Sequence, residues 1–156
     1  MASAIATNIM RTTHKVVTEK LVGTAGTNTS IWYPMRDFAN LLAVGALAVK
    51  AGNGMTKFEI IAGTSAAGAG ATTVKDSGAI VADSSGTSGS VAPDQVVLEM
   101  TADELNALGN TESKVFTHIA VRATNHNVGD VVAATLVFSG ARNQVDGLTP
   151  AASIAS

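Results

Sequence analysis

Short apolar runs alternate along this chain with clusters of small and polar residues, and the apolar runs repeat with the period of strands rather than helices. Residues 115–124 set Val115, Thr117, Ile119 and Val121 against Phe116, His118, Ala120 and Arg122. Residues 131–139 set Val132, Leu136 and Phe138 against Val131, Ala133, Thr135 and Val137. Side chains two apart share one face of a strand, so both segments are expected as strands with one face on a core. The loop NHNVGD between them, with Gly129, reads as a compact hairpin connection. Residues 41–49 (LLAVGALAV) are apolar on both faces, which predicts a central strand or one that also meets a neighbouring subunit. Asn53 and Gly54 then signal a hairpin return. In the returning strand Phe58 and Ile60 look to the core, and Lys57, Glu59 and Ile61 to a partly wet face.

The remaining pattern fills in the ladder. Strands are expected at 16–22, 72–75, 79–82 and 95–100, with a turn at 23–30 (GTAGTNTS) and a long Gly/Ser-rich loop at 83–93. The segment 31–38 (IWYPMRDF) reads as an edge strand or one broken by a kink, because Pro34 has no N–H to give to a ladder. Thr101 fits a helix N-cap with Glu104 as its capping-box partner, and Gly109 fits the left-handed residue that ends a helix, so a single helix of about two turns is expected. Residues 1–15 and 143–156 lack a period and read as terminal arms on a domain spanning 16–142. The fold expected is all-β: an antiparallel sandwich of jelly-roll type with about eight strands and one short helix.

Composition narrows what such a domain does. At 156 residues the chain is of single-domain size, and only 14% of it is charged against a usual ~25%. The surface is suited to lying against another protein. A formal net charge of −2 with 10 Lys+Arg leaves no basic footprint for nucleic acid. No apolar run reaches the ~18 residues of a membrane span, and the start of the chain lacks the pattern of a secretory signal, so neither a membrane nor export is expected. The absence of cysteine removes disulfides, thiolate metal sites and cysteine nucleophiles.

Candidate chemistry is sparse. The three histidines, His14, His118 and His126, have no serine in a nucleophile context beside them. His118, His126 and Asp130 flank a loop rather than repeat at ligand spacing, so no metal is expected. The glycines of GTSAAGAGATT lack the Lys-Ser/Thr pair of a phosphate loop. Asp103 and Glu104 are adjacent on a helix and point apart, which suits capping rather than paired acid–base work. No catalytic residue and no cofactor is expected. The stretch from Lys57 to Gly109 is instead built for close backbone approach.

The segments IWYPMRDFANLLAVGAL, KFEIIAGTSAAGAGATTV, VVLEMTADELNALG and VFTHIAVRATNHNVGDVVAATLVFSGAR, in this order and spacing, resemble small β-rich structural proteins of tailed-bacteriophage virions, the capsid decoration or cement proteins. The resemblance covers about residues 31–142. It implies a protein made in the host cytoplasm that binds the outer surface of the capsid, stabilises contacts between major capsid subunits, and associates with itself as a dimer or trimer. The residues expected to form contacts are Trp32, Tyr33, Met35, Arg36 and Phe38, with Arg11 and Arg142 beside the arms. An alternative is a carbohydrate- or receptor-binding sandwich of a virion, using Trp32 and Tyr33 as a stacking platform near Arg36 and Asp37.

Overall fold

Alternation of apolar side chains gives each strand one face to bury, and the nine strands among the described residues do so by wrapping around a single core. The computed structural model describes residues 14–22, 26–49, 54–80, 95–125 and 129–141. The elements in chain order are β1 (His14–Val22), β2 (Gly26–Thr29), β3 (Tyr33–Pro34), β4 (Phe38–Val49), β5 (Met55–Gly63), β6 (Thr72–Asp76), β7 (Gln95–Thr101), α1 (Ala102–Glu112), β8 (His118–Asn125) and β9 (Val131–Ala141). They form a four-stranded sheet in the order β1-β9-β4-β7 and a five-stranded sheet in the order β2-β8-β5-β6, with β3 also on β8. Every pairing is antiparallel.

The pairing is nested. β1 and β2 pair with β9 and β8, and β4 and β5 pair with β7 and β6, each pair split between the two sheets. That is the winding of a jelly roll, two Greek keys folded over one core. It overturns both expected hairpins. β4 and β5 lie in different sheets, and so do β8 and β9, so the Asn53-Gly54 and Gly129 signals mark crossings between sheets. The reason lies in β4, whose two edges are already taken by β7 and β9 over most of its length. A strand returning beside it has nowhere to pair. The two crossings are tied together instead: the Gly54 N–H donates to the buried Asp130 carboxylate at 3.1 Å, and the Asn125 Nδ2 donates to the Asp130 carbonyl at 3.1 Å.

The core follows the alternation. Val132, Ala134, Leu136 and Phe138 of β9 point inward and are fully buried, opposite Ile119, Val121 and Ala123 of β8 and Phe58 and Ile60 of β5. Phe138 gathers Phe38 and Tyr33 around it, with ring centroids 5.2 Å and 5.9 Å away. Gly45 is required in β4, because a Cβ there would sit 2.8 Å from the Phe58 ring. On the face of β5 expected to be partly wet, Lys57 is partly exposed, but Glu59 and Ile61 are buried. Side chains from both neighbouring strands, Arg122 of β8 and Thr73 of β6, close over Glu59 on that face.

The helix is longer than expected and ends elsewhere. The capping box forms as read: the Glu104 N–H donates to the Thr101 hydroxyl and the Thr101 N–H to the Glu104 carboxylate at 2.8 Å. Its left-handed terminus is Ser113, at φ 54°, not Gly109. Gly109 is instead where the chain folds back on the helix, since the Lys114 N–H donates to its carbonyl at 2.9 Å and a Cβ would lie 2.7 Å from the Lys114 carbonyl oxygen. Ala79 and Ile80 are outside any strand, although the Ile80 N–H still donates to the Thr56 carbonyl at 2.7 Å. β1 starts at His14, inside the expected first arm; the remainder of both arms and the 83–93 loop lie outside the described residues.

Candidate interaction surface

The expected contact residues divide sharply by position. Pro34 limits β3 to two residues paired with Ile119 and His118, and Tyr33 points inward from it. Tyr33, Met35 and Phe38 are core residues, which corrects their expected place in an external contact. The Tyr33 hydroxyl donates to the Glu19 carboxylate, linking β3 to β1 and so one sheet to the other. Burial, then the Glu19 hydrogen bond, push its pKa above the ordinary phenol value. Trp32 is half-buried against the 63–68 turn: a Cβ on Gly63 would lie 2.9 Å from its indole, and one on Gly68 would run into the ring. Arg36 remains available, its side chain 80% exposed. Arg11 and Arg142 lie outside the described residues.

A buried ionic cluster, not legible from the sequence, sits on the outer side of the five-stranded sheet. Glu59 of β5 pairs directly across with Arg122 of β8 and is only 3% exposed. The guanidinium grips it in a bidentate pair, Nε to Oε2 at 2.8 Å and Nη2 to Oε1 at 3.1 Å. The Lys57 ammonium at 2.9 Å and the Thr73 hydroxyl at 3.2 Å also donate to Oε1. The Arg122 hydrogen bonds dominate the opposing effect of burial and hold the Glu59 carboxyl down to about 2. Lys57 also pairs with Asp76 of β6 at 3.1 Å, so the cluster is a clasp between β5, β6 and β8. His118 is similarly engaged, its Nδ1 2.8 Å from the Thr117 hydroxyl. No group of three or more metal-ligating side chains occurs among the described residues.

The outer face of the four-stranded sheet is different in kind. Register places Val16, Val137, Leu42 and Glu99 in one row across β1, β9, β4 and β7. The next row is Thr18, Thr135, Val44 and Val97, and the third Lys20, Ala133, Ala46 and Gln95. An antiparallel sheet with one wet face normally shows polar residues there, yet these rows are mostly Val, Leu, Ala and Thr. Val16 and Val97 are 62% and 50% exposed. Lys20 and Glu99 are the only charged side chains in the three rows, at diagonally opposite corners. Neither side chain has an ion-pair or hydrogen-bond partner among the described residues. A cavity of about 670 Å³ opens beside the Glu99 corner, lined by Asn40, Leu42, Thr101 and the Lys75–Glu104 ion pair, which is 2.6 Å long.

No family model matches this chain, and no curated protein matches it. Among solved structures it is similar to the SPBc2 prophage-derived protein YomS, with a TM-score of 0.37 and 7% identity, covering 81% of this chain and 95% of that one. It is also similar to VP2 of the infectious bursal disease virus subviral particle, with a TM-score of 0.39 and 13% identity over 84% of this chain. A third likeness is to a chain of Sulfolobus Turreted Icosahedral Virus, with a TM-score of 0.36 and 12% identity over 83% of this chain. This chain spans 34% of the VP2 chain and 30% of the Sulfolobus virus chain. With TM-scores of 0.39 or less, the likeness decides nothing about what the chain does.

Proposed function

We propose that this protein is a structural component of a bacteriophage virion, a non-enzymatic cement protein that lies on the outside of the capsid and reinforces contacts between major capsid subunits. The observation that carries the reading is the outer face of the four-stranded sheet. Strands spaced ~4.8 Å apart and rising ~3.4 Å per residue make the three rows about 19 Å wide and about as long. A mostly apolar patch of that extent compares with the largest one a typical monomer exposes, and such patches often mark protein contacts. The resemblance over residues 31–142 and the low charge of the chain support the same reading.

Cementing asks for buried area repeated at symmetric seams rather than for a reactive group. A modest contact made many times over a shell stabilises it through multivalency. The carbohydrate- or receptor-binding alternative needs Trp32 and Tyr33 as an exposed platform; Tyr33 is buried and Trp32 is packed on Gly63 and Gly68. The test is shell stability. Capsids assembled without this protein are expected to break open at a lower temperature than complete ones, and adding the purified protein to them is expected to restore the difference. Equal stability with and without it overturns the proposal.

A further inference from the structure

We infer that in the free protein, away from any capsid, the apolar face of the four-stranded sheet is covered by a second copy of this chain, across a two-fold axis that pairs Lys20 of each copy with Glu99 of the other. The inference rests on the reading of that face as a protein contact and names its occupant.

The geometry is set by the two corners. Lys20 and Glu99 are separated by three strand spacings across the sheet, about 14 Å, and by four residues along it, also about 14 Å. The patch they bound is therefore nearly square. Two copies of one face that meet by two-fold symmetry need an axis lying in the plane between them. Only one such axis carries the Lys20 corner onto the Glu99 corner: the other diagonal, from Val16 to Gln95. On a square patch that axis turns the strands of one copy by about 90° to those of the other, which is one of the two established ways for sheets to pack.

The same operation matches shape. It places Val97, the most protruding apolar side chain of the central row at 50% exposure, over the step between Ala46 and Ala133 of the other copy. Thr18 falls between Leu42 and Val137. The large side chain meets the small ones, and both charges, which have no partner among the described residues, are paired. Rotation about an axis parallel to the strands instead sets Lys20 over Gln95 and Glu99 over Val16, leaving both charges against uncharged neighbours.

The overlap of two such faces is a square about 19 Å on a side, which with side-chain relief lies at the low end of specific interfaces. The dimer is accordingly reversible on dilution. Sedimentation of the purified full chain over a range of concentrations tests it, with circular dichroism confirming that each variant is folded. A monomer–dimer equilibrium is expected. Lys20→Glu and Glu99→Lys, each acting twice across the two-fold, are expected to weaken it about tenfold or more, and the double variant to restore it. A monomer at every concentration, a trimer, single variants that dimerise like the original, or a double variant that stays weak overturns the inference. Its failure is separable from that of the cement reading. Loss of the dimer with normal attachment to capsids refutes only the dimer, and an intact dimer absent from capsids refutes only the cement role.

Discussion

Glu59 shows how one residue holds two hydrogen-bonded strand pairs together. It is a carboxylate with almost no access to water, kept ionised by Arg122 and Lys57. Its pKa falls from an ordinary 4.5 to about 2 on folding. A depressed carboxyl contributes stability that is fully present above pH 4.5 and is lost as the pH falls towards 2. The shift corresponds to a contribution on the order of 3 kcal/mol at neutral pH. Chemical unfolding of the original chain and of Glu59→Gln is expected to show a stability difference that shrinks by about half between pH 7 and pH 3. A difference constant over that range contradicts the ionic account. The sequence shows Glu59 only as one charge in an apolar strand, because its principal partner is 63 residues away and only register brings the two together. The same limit applies to Tyr33. Its side of the strand is decided by where Pro34 breaks β3, and its hydroxyl partner, Glu19, is in the other sheet.

Elements were legible where their signals are local. The alternation of β9 appears in the sequence as it does in the core, and the capping box of α1 forms between the two residues that spell it. Replacing Thr101 by Ala removes the acceptor of the Glu104 N–H and is expected to cost about 1 kcal/mol in denaturant unfolding. No measurable loss contradicts the assigned cap. Signals that depend on what surrounds them are ambiguous in the sequence. Gly109 looks like a helix stop, but its lack of a side chain serves the close return of Lys114. Asn53 with Gly54 looks like a hairpin, but pairing on both edges of β4 sends the next strand to the other sheet. Turn residues say that the chain reverses, not which edge receives it.

For the whole molecule, the all-β sandwich follows from strand period and turn spacing, whereas the nested jelly-roll order follows from pairings between residues far apart in the chain. The candidate contact surface was legible only in part. The sequence marks 41–49 as apolar on both faces, but the apolar rows exist only once β1, β9, β4 and β7 are in register. The aromatic segment 31–38, expected at a contact, supplies Tyr33 and Phe38 to the core instead. Among the described residues, the outer face of the four-stranded sheet carries three mostly apolar rows. The direct measurement is the copy number of this protein in purified, salt-washed phage particles, relative to the major capsid protein. A fixed ratio comparable to that of the shell protein is expected; absence from the washed particles contradicts the account.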